Sequence, residues 1–141
     1  MIALILLRLM TLAMPIQAGQ VKIEFMGLRS DKGSLAISIF SEEGRDGFPG
    51  NGAVAIKTYY KNLKDEDALH LVEELPDGIY AISVLHDEDS DKELRTNFLG
   101  IPQEGFGFSM NPTTLIGAPS FWRAQFDTRK TKEIQIRMKY F

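Results

Sequence analysis

The chain has no cysteine, only two histidines and a single tryptophan. Without cysteine there is no thiol nucleophile, no thiolate-ligated metal and no disulfide. With two histidines, His70 and His86, a zinc centre would need both of them and carboxylates to converge on one point. Basic residues are also few. The 16 Lys and Arg against 19 Asp and Glu give a formal charge of -3 at pH 7, with no basic stripe, which argues against nucleic acid and anionic membranes as partners. No internal repeat, low-complexity tract or long stretch of 3.6-residue periodicity is visible. Nothing resembles a nucleophile elbow, and "GFGFS" at 105–109 opens no helix and precedes no lysine, as a phosphate loop would.

What is present suits one folded domain. A chain of 141 residues, 44% apolar and 25% charged, can bury a core of its own and has little room for two. Its N-terminus stands apart: "MIALILLRLMTLAMPIQAGQ" is almost wholly apolar to Met14, is broken by Pro15 and continues into small residues. This predicts a signal peptide over residues 1–18 and a single mature domain over 19–141. The apolar run is shorter than the roughly 20 residues of a comfortable membrane span. Cleavage after Ala18 removes Arg8 and no acid, leaving 15 basic against 19 acidic side chains, a formal charge of -4.

Beyond residue 19 the dominant period is two. In "VKIEFMGL" Val21, Ile23 and Phe25 share a face, and in "SLAISIF" Leu35, Ile37 and Ile39 do the same. With the turn "RSDKG" between them, the pair reads as a β-hairpin. "AIKTYYKNL" is ambiguous between strand and helical turn, "DALHLVEEL" reads as a strand, and "PDG" at 76–78 as a tight turn. "IYAISVLHD" carries bulk on both faces and is placed centrally. "KEIQIRMKYF" alternates to the C-terminus. Residues 97–120, with Pro102, Pro112 and Pro119, keep no period and read as an ordered loop across one end of the fold. The whole predicts an all-β fold: a single antiparallel β-sandwich of about seven strands, transthyretin-like or immunoglobulin-like.

The densest chemistry lies in residues 86–109. Asp87, Glu88, Asp89, Asp91 and Glu93 put five carboxylates into seven positions. Alternating Asp residues on a tight loop supply the oxygen donors that calcium prefers, so Asp87, Asp89 and Asp91, with Glu104 aimed back from the "PQEG" turn, form the candidate metal set. Magnesium, which rarely uses an all-protein cage, fits less well. The loop departs from an EF-hand: Lys92 stands at the sixth position and Phe98 at the twelfth, where glycine and a bidentate Glu belong. The alternative is a solvated acidic turn neutralised from within by Lys92 and by Arg95 paired to Asp87 or Glu104. A hydrolase of envelope glycan or peptide would use His86, Asp87 and Glu104, with Ser109 a further candidate for a serine triad. Trp122 and Phe106 are the candidate ligand-binding aromatics, with Trp122 expected to be partly exposed.

Four segments together resemble a known family: "GFPG" at 47–50, "LPDGIYAISVLHDED" at 75–89, "LGIPQEGFGFS" at 99–109 and "PSF" at 119–121. They are similar to the group of exported bacterial proteins termed domain of unknown function 2141, over essentially all of residues 19–141. The resemblance implies export and a small β-sandwich, and no activity. The family's acidic loop reads like "HDENGNGKLDTN". Here Lys92 replaces a glycine of that pattern and Arg95 replaces an aspartate. The expectation is therefore an exported, periplasmic or extracellular envelope protein: a non-enzymatic binding or accessory module for a glycan or protein, with the acidic loop as its site.

Overall fold

The computed structural model describes residues 18–93, 99, 102–114 and 117–141. Nearly all of the apolar leader expected to be a signal peptide therefore lies outside the described residues. Among those residues eight strands form two packed sheets. One has the order β4-β1-β8, the other β3-β2-β5-β6 with β7 added to β5. The strands are β1 Ala18–Met26, β2 Ser34–Ser41, β3 Lys57–Asn62, β4 His70–Pro76, β5 Ile79–Asp87, β6 Gly105–Phe108, β7 Phe126–Asp127 and β8 Glu133–Arg137.

The all-β sandwich follows from the period-two alternation. Val21, Ile23 and Phe25 of β1, Leu35, Ile37 and Ile39 of β2, Tyr80, Ile82 and Val84 of β5 and Ile134 and Ile136 of β8 meet in one core between the sheets. Each fully buried aliphatic or phenyl side chain contributes about 1.5–3 kcal/mol. Two details differ from the sequence reading. β1 and β2 do not form a hairpin: β1 pairs with β4 and β8, β2 with β3 and β5. The turn between them carries the chain from one sheet to the other, so the two inward faces look at each other across the core. The immunoglobulin constant arrangement instead keeps the first two strands in one sheet. In addition, the β1–β8 pair is parallel, while all other pairs are antiparallel.

The outer face of the larger sheet carries a second core. Phe40, Phe48, Ala81, Phe108, Phe121 and Ala124 cluster there, with Phe48 edge-on to Phe40 at 5.3 Å between centroids. A 3₁₀ segment at Glu42–Gly47 and the short helix α1, Phe121–Ala124, roof this cluster. This is why β5 is apolar on both faces.

The segment read as irregular, 97–120, contains β6. Its "GFGF" is an alternation of glycine inward and phenylalanine outward. A Cβ on Gly105 would overlap the Tyr140 ring, and one on Gly107 would sit 2.7 Å from Ile136 Cγ2. The glycines let β6 lie directly on the C-terminal segment, where Phe106 and Lys139 exchange backbone hydrogen bonds of 3.0 and 2.8 Å. This bridge closes one side of the sandwich.

The other side is closed by side chains. Glu73, buried in β4, accepts hydrogen bonds from Lys57 Nζ and the Tyr59 hydroxyl, both on β3 of the opposite sheet. Lys61 of β3 donates to the His70 carbonyl of β4 at 2.7 Å.

Glu73→Ala strands the Tyr59 hydroxyl and the Lys57 ammonium at this seam. A loss of about 2–4 kcal/mol in urea unfolding is expected, larger than for Lys57→Ala, whose side chain is partly solvated. Gly105→Ala must displace Tyr140 and is expected to cost about 1–3 kcal/mol by the same measurement.

Candidate cation site

Asp87 is the last residue of β5 and Glu104 immediately precedes β6, the antiparallel neighbour of β5. Strand pairing thus brings the loop after β5 and the turn before β6 to one corner of the sheet. There the carboxylates of Asp87, Asp89, Asp91 and Glu104 each place an oxygen within 4.8 Å of the others. Asp87 and Glu104 are buried, Asp89 and Asp91 exposed.

Asp87 organises the loop. Its Oδ1 accepts the Asp91 N–H at 3.2 Å, and its Oδ2 accepts the Lys92 N–H at 2.8 Å and the Tyr60 hydroxyl of β3. Burial alone would raise this carboxyl, but the bonds from Tyr60, Lys92 and Asp91 hold it below its ordinary value. Asp89 Oδ1 receives the Asp91 N–H and Asp91 Oδ1 the Glu93 N–H, so each aspartate orders the backbone two residues on. Ser90 and Lys92 take left-handed φ of 61° and 63°, at the two positions where the related loop pattern has glycine. Such residues cost roughly 1–2 kcal/mol each. Lys92 recovers part of this through its N–H bond to Asp87 and its ammonium, 5.3 Å from the Tyr60 ring centroid.

His86 is not part of this corner. Successive strand residues face opposite ways, and the His86 ring lies on the core side, fully buried. Nε2 sits 2.8 Å from the Lys32 carbonyl, and Nδ1 2.6 Å from the Tyr140 hydroxyl. A carbonyl only accepts, so Nε2 carries a proton; Nδ1 then takes the Tyr140 hydroxyl, which itself receives the Arg29 N–H. The Arg29 guanidinium covers the Tyr140 ring, bonds Glu88 at 2.6 Å and reaches the Gln103 carbonyl. Of the candidate hydrolytic set, the structure brings Asp87 and Glu104 together and commits His86 elsewhere. Ser109 is equally engaged, donating to the Ala124 carbonyl and accepting from the Ile82 N–H. His70 is exposed on β4 of the other sheet. Arg95, Asn97 and Phe98 lie outside the described residues.

The candidate aromatics are also separated. Phe106 lies beside the corner, stacked between Phe108 and Phe141 at 5.6 and 5.5 Å. Trp122, 54% exposed, sits on α1 near the start of β5, with Arg45 5.9 Å from its ring. Tyr60, Arg29 and Tyr140 escaped the sequence reading. Tyr140 alone left a trace there, as the last inward residue of the alternating C-terminal segment.

The arrangement is a small two-sheet β-sandwich domain with one carboxylate-rich corner, and no helix among the described residues is long and apolar enough to cross a membrane. The profile of a family described as "Uncharacterized protein conserved in bacteria (DUF2141)" matches residues 23–136. The chain belongs to that family. No curated protein and no solved structure matches it.

The tyrosines give this region a pH signature. Burial and the bond to Asp87 push Tyr60 up to about 12. The bond to Glu73, with burial, does the same for Tyr59. Folding favours the un-ionised phenols, so their contribution is complete below pH 10 and lost as pH rises toward 12. At about pH 11 the native protein should show much less tyrosinate absorbance than the urea-unfolded chain. Asp87 acts at the other limit: its contribution is present above the ordinary carboxylate range and is lost as pH falls through its lowered folded value.

Proposed function

We propose that the protein is an exported cell-envelope component acting as a non-enzymatic binding module, and that Asp87, Asp89, Asp91 and Glu104 hold a calcium-type cation. The observation that carries this is the convergence of four carboxylates from two chain segments. Oxygens 2.3–2.6 Å from one calcium lie at most about 5 Å apart, and these four fall within 4.8 Å. Two unit charges at that separation repel by about 3.5 kcal/mol at an effective dielectric of 20, a repulsion that a cation bound between them offsets. A carboxylate offers about four lone-pair sites. Asp87 already uses three, which suits it to monodentate coordination, while carbonyls and water complete the six to eight ligands.

A non-enzymatic role is favoured by the commitment of both His86 nitrogens and the Ser109 hydroxyl to structural bonds. The partner in this reading is an envelope glycan or protein, met by the acidic corner with Phe106 beside it. Trp122, with Arg45 against its ring, is a second contact near the opposite end of β5. Export is supported by the apolar run to Met14 and the small residues Ala18 and Gly19 that follow it in the sequence.

The thermal midpoint with calcium and with chelator tests the site. Calcium at a hundredfold excess over its dissociation constant should stabilise by about 2.7 kcal/mol, and Asp89→Ala should abolish the shift. An unchanged midpoint would mean that the corner is neutralised from within the chain, and the cation reading would fall. N-terminal sequencing of protein recovered from the periplasm or medium should begin at Gly19. Intact Met1 in the cytoplasm would end the export reading.

A further inference from the structure

We propose that Asn51 is a self-modification site: in the folded chain the backbone nitrogen of Gly52 attacks the Asn51 side-chain amide, and the position converts to a mixture of aspartate and isoaspartate. The Gly52 nitrogen gives its proton to solvent base and bonds to Asn51 Cγ. The Cγ–Nδ2 bond breaks, ammonia leaves, and a five-membered succinimide closes. Water then opens the ring. Attack at Cγ leaves an aspartate, and attack at the main-chain carbonyl leaves an isoaspartyl link through the side chain. One water enters, one ammonia departs, and nothing is oxidised or reduced.

The reaction needs a following nitrogen with room around it, no hydrogen bond holding that nitrogen, and a backbone able to turn. Asn62, Asn97 and Asn111 precede Leu63, Phe98 and Pro112. The first two of these following residues crowd their own nitrogen with a side chain, and proline has no N–H. Asn51 through Val54 are all exposed, and the Gly52 N–H has no hydrogen-bond partner among the described residues. Asn51 caps the single 3₁₀ turn Gly52–Val54. Its Oδ1 accepts the Ala53 N–H and its carbonyl the Val54 N–H, both at 3.2 Å. Rotation about the Asn51 Cα–C bond from ψ of 83° brings the nitrogen to Cγ, and a short turn with exposed bonds opens at little cost. Asp77–Gly78 is the contrast within the same chain. There the Gly78 N–H donates to Thr128 Oγ1 at 3.0 Å, and the Gly78 carbonyl accepts the Thr128 N–H at 3.1 Å, so the nitrogen is occupied and the turn fixed. The fold does not itself require glycine at 52, where a Cβ would meet only Ser38 Oγ, at 3.8 Å. The two products differ in effect. Aspartate caps a helix as well as asparagine does. Isoaspartate inserts a methylene into the main chain where Val54 is seated on the roof of the second core: a Cβ on Gly44 would lie 2.7 Å from the Val54 carbonyl oxygen, and one on Gly47 would overlap Val54 Cγ2.

The test is incubation of the whole chain in heavy-oxygen water at mildly alkaline pH, read by peptide mapping and mass spectrometry. In the folded protein position 51 should gain one solvent oxygen and an isoaspartyl fraction, while position 77 stays unchanged. In urea position 77 should begin to exchange as well, because Thr128 no longer holds Gly78. Gly52→Ala, for which the fold has room, should slow the conversion several-fold and keep the native near-ultraviolet circular dichroism. The isoaspartyl form, separated by ion exchange, should melt below the unmodified protein, and Asn51→Asp should melt with it. An Asn51 that converts in urea but stays intact in the folded chain would overturn the proposal. So would a folded Gly52→Ala that converts at the native rate, or equal conversion of positions 51 and 77 in the folded protein.

Discussion

A carboxylate buried at the seam between two sheets governs this structure. Glu73 lies on β4, at one edge of the smaller sheet, and its partners Lys57 and Tyr59 lie on β3, at the edge of the larger one. A buried carboxylate cannot be left unpaired without a large desolvation penalty, so the two edges are obliged to meet. β3 then transmits that placement. The residue after Tyr59 is Tyr60, which points to the opposite face and bonds Asp87. The acidic corner is therefore positioned through one edge strand whose consecutive tyrosines each hold a carboxylate, one inside the sandwich and one outside it.

The opposite seam uses no charge. There Gly105 and Gly107 remove the side chains that would separate β6 from Ile136 and Tyr140, and Phe106 and Lys139 join the sheets through the backbone. The two seams leave β8 and β4 as the outer strands of the smaller sheet, and both are guarded by side chains. Lys61 reaches the His70 carbonyl on β4, and Asn111 covers part of β8. The polar residues that looked unremarkable in sequence are spent on edges, while the conspicuous phenylalanines fill the second core above the larger sheet.

Alternation made most strands readable, because every residue on one face of β1, β2 or β8 answers to the same core. Glu73 was not singled out, although it shares its phase with Leu71 and Leu75, where an acid signals a buried partner. Which strands pair was not readable. The turn at "RSDKG" is as compatible with a crossover as with a hairpin, and nothing local marks β8 as the parallel neighbour of β1. β6 hid because its inward residues are glycines, which carry no hydrophobic signal. In the acidic loop the spacing of Asp87, Asp89 and Asp91 was plain, and Glu104 joined them because strand pairing returns the chain to the same corner. Lys32 and Tyr140 come from distant segments, and only the folded chain shows that they occupy His86.

The parallel pairing of β1 with β8 also sets an order of events. The smaller sheet takes its central strand from the start of the described chain and one flanking strand from near its end. Strands so far apart in sequence close the longest loop available, which slows folding relative to local pairing. A chain emerging from a ribosome can form the β2–β3 hairpin and the β1–β4 pair early, but the third strand of the smaller sheet is missing until residues 133–137 arrive. The smaller sheet is thus incomplete until residues 133–137 have been made. Throughout that interval the part of the core that Ile134 and Ile136 cover remains open to chaperones and to other chains.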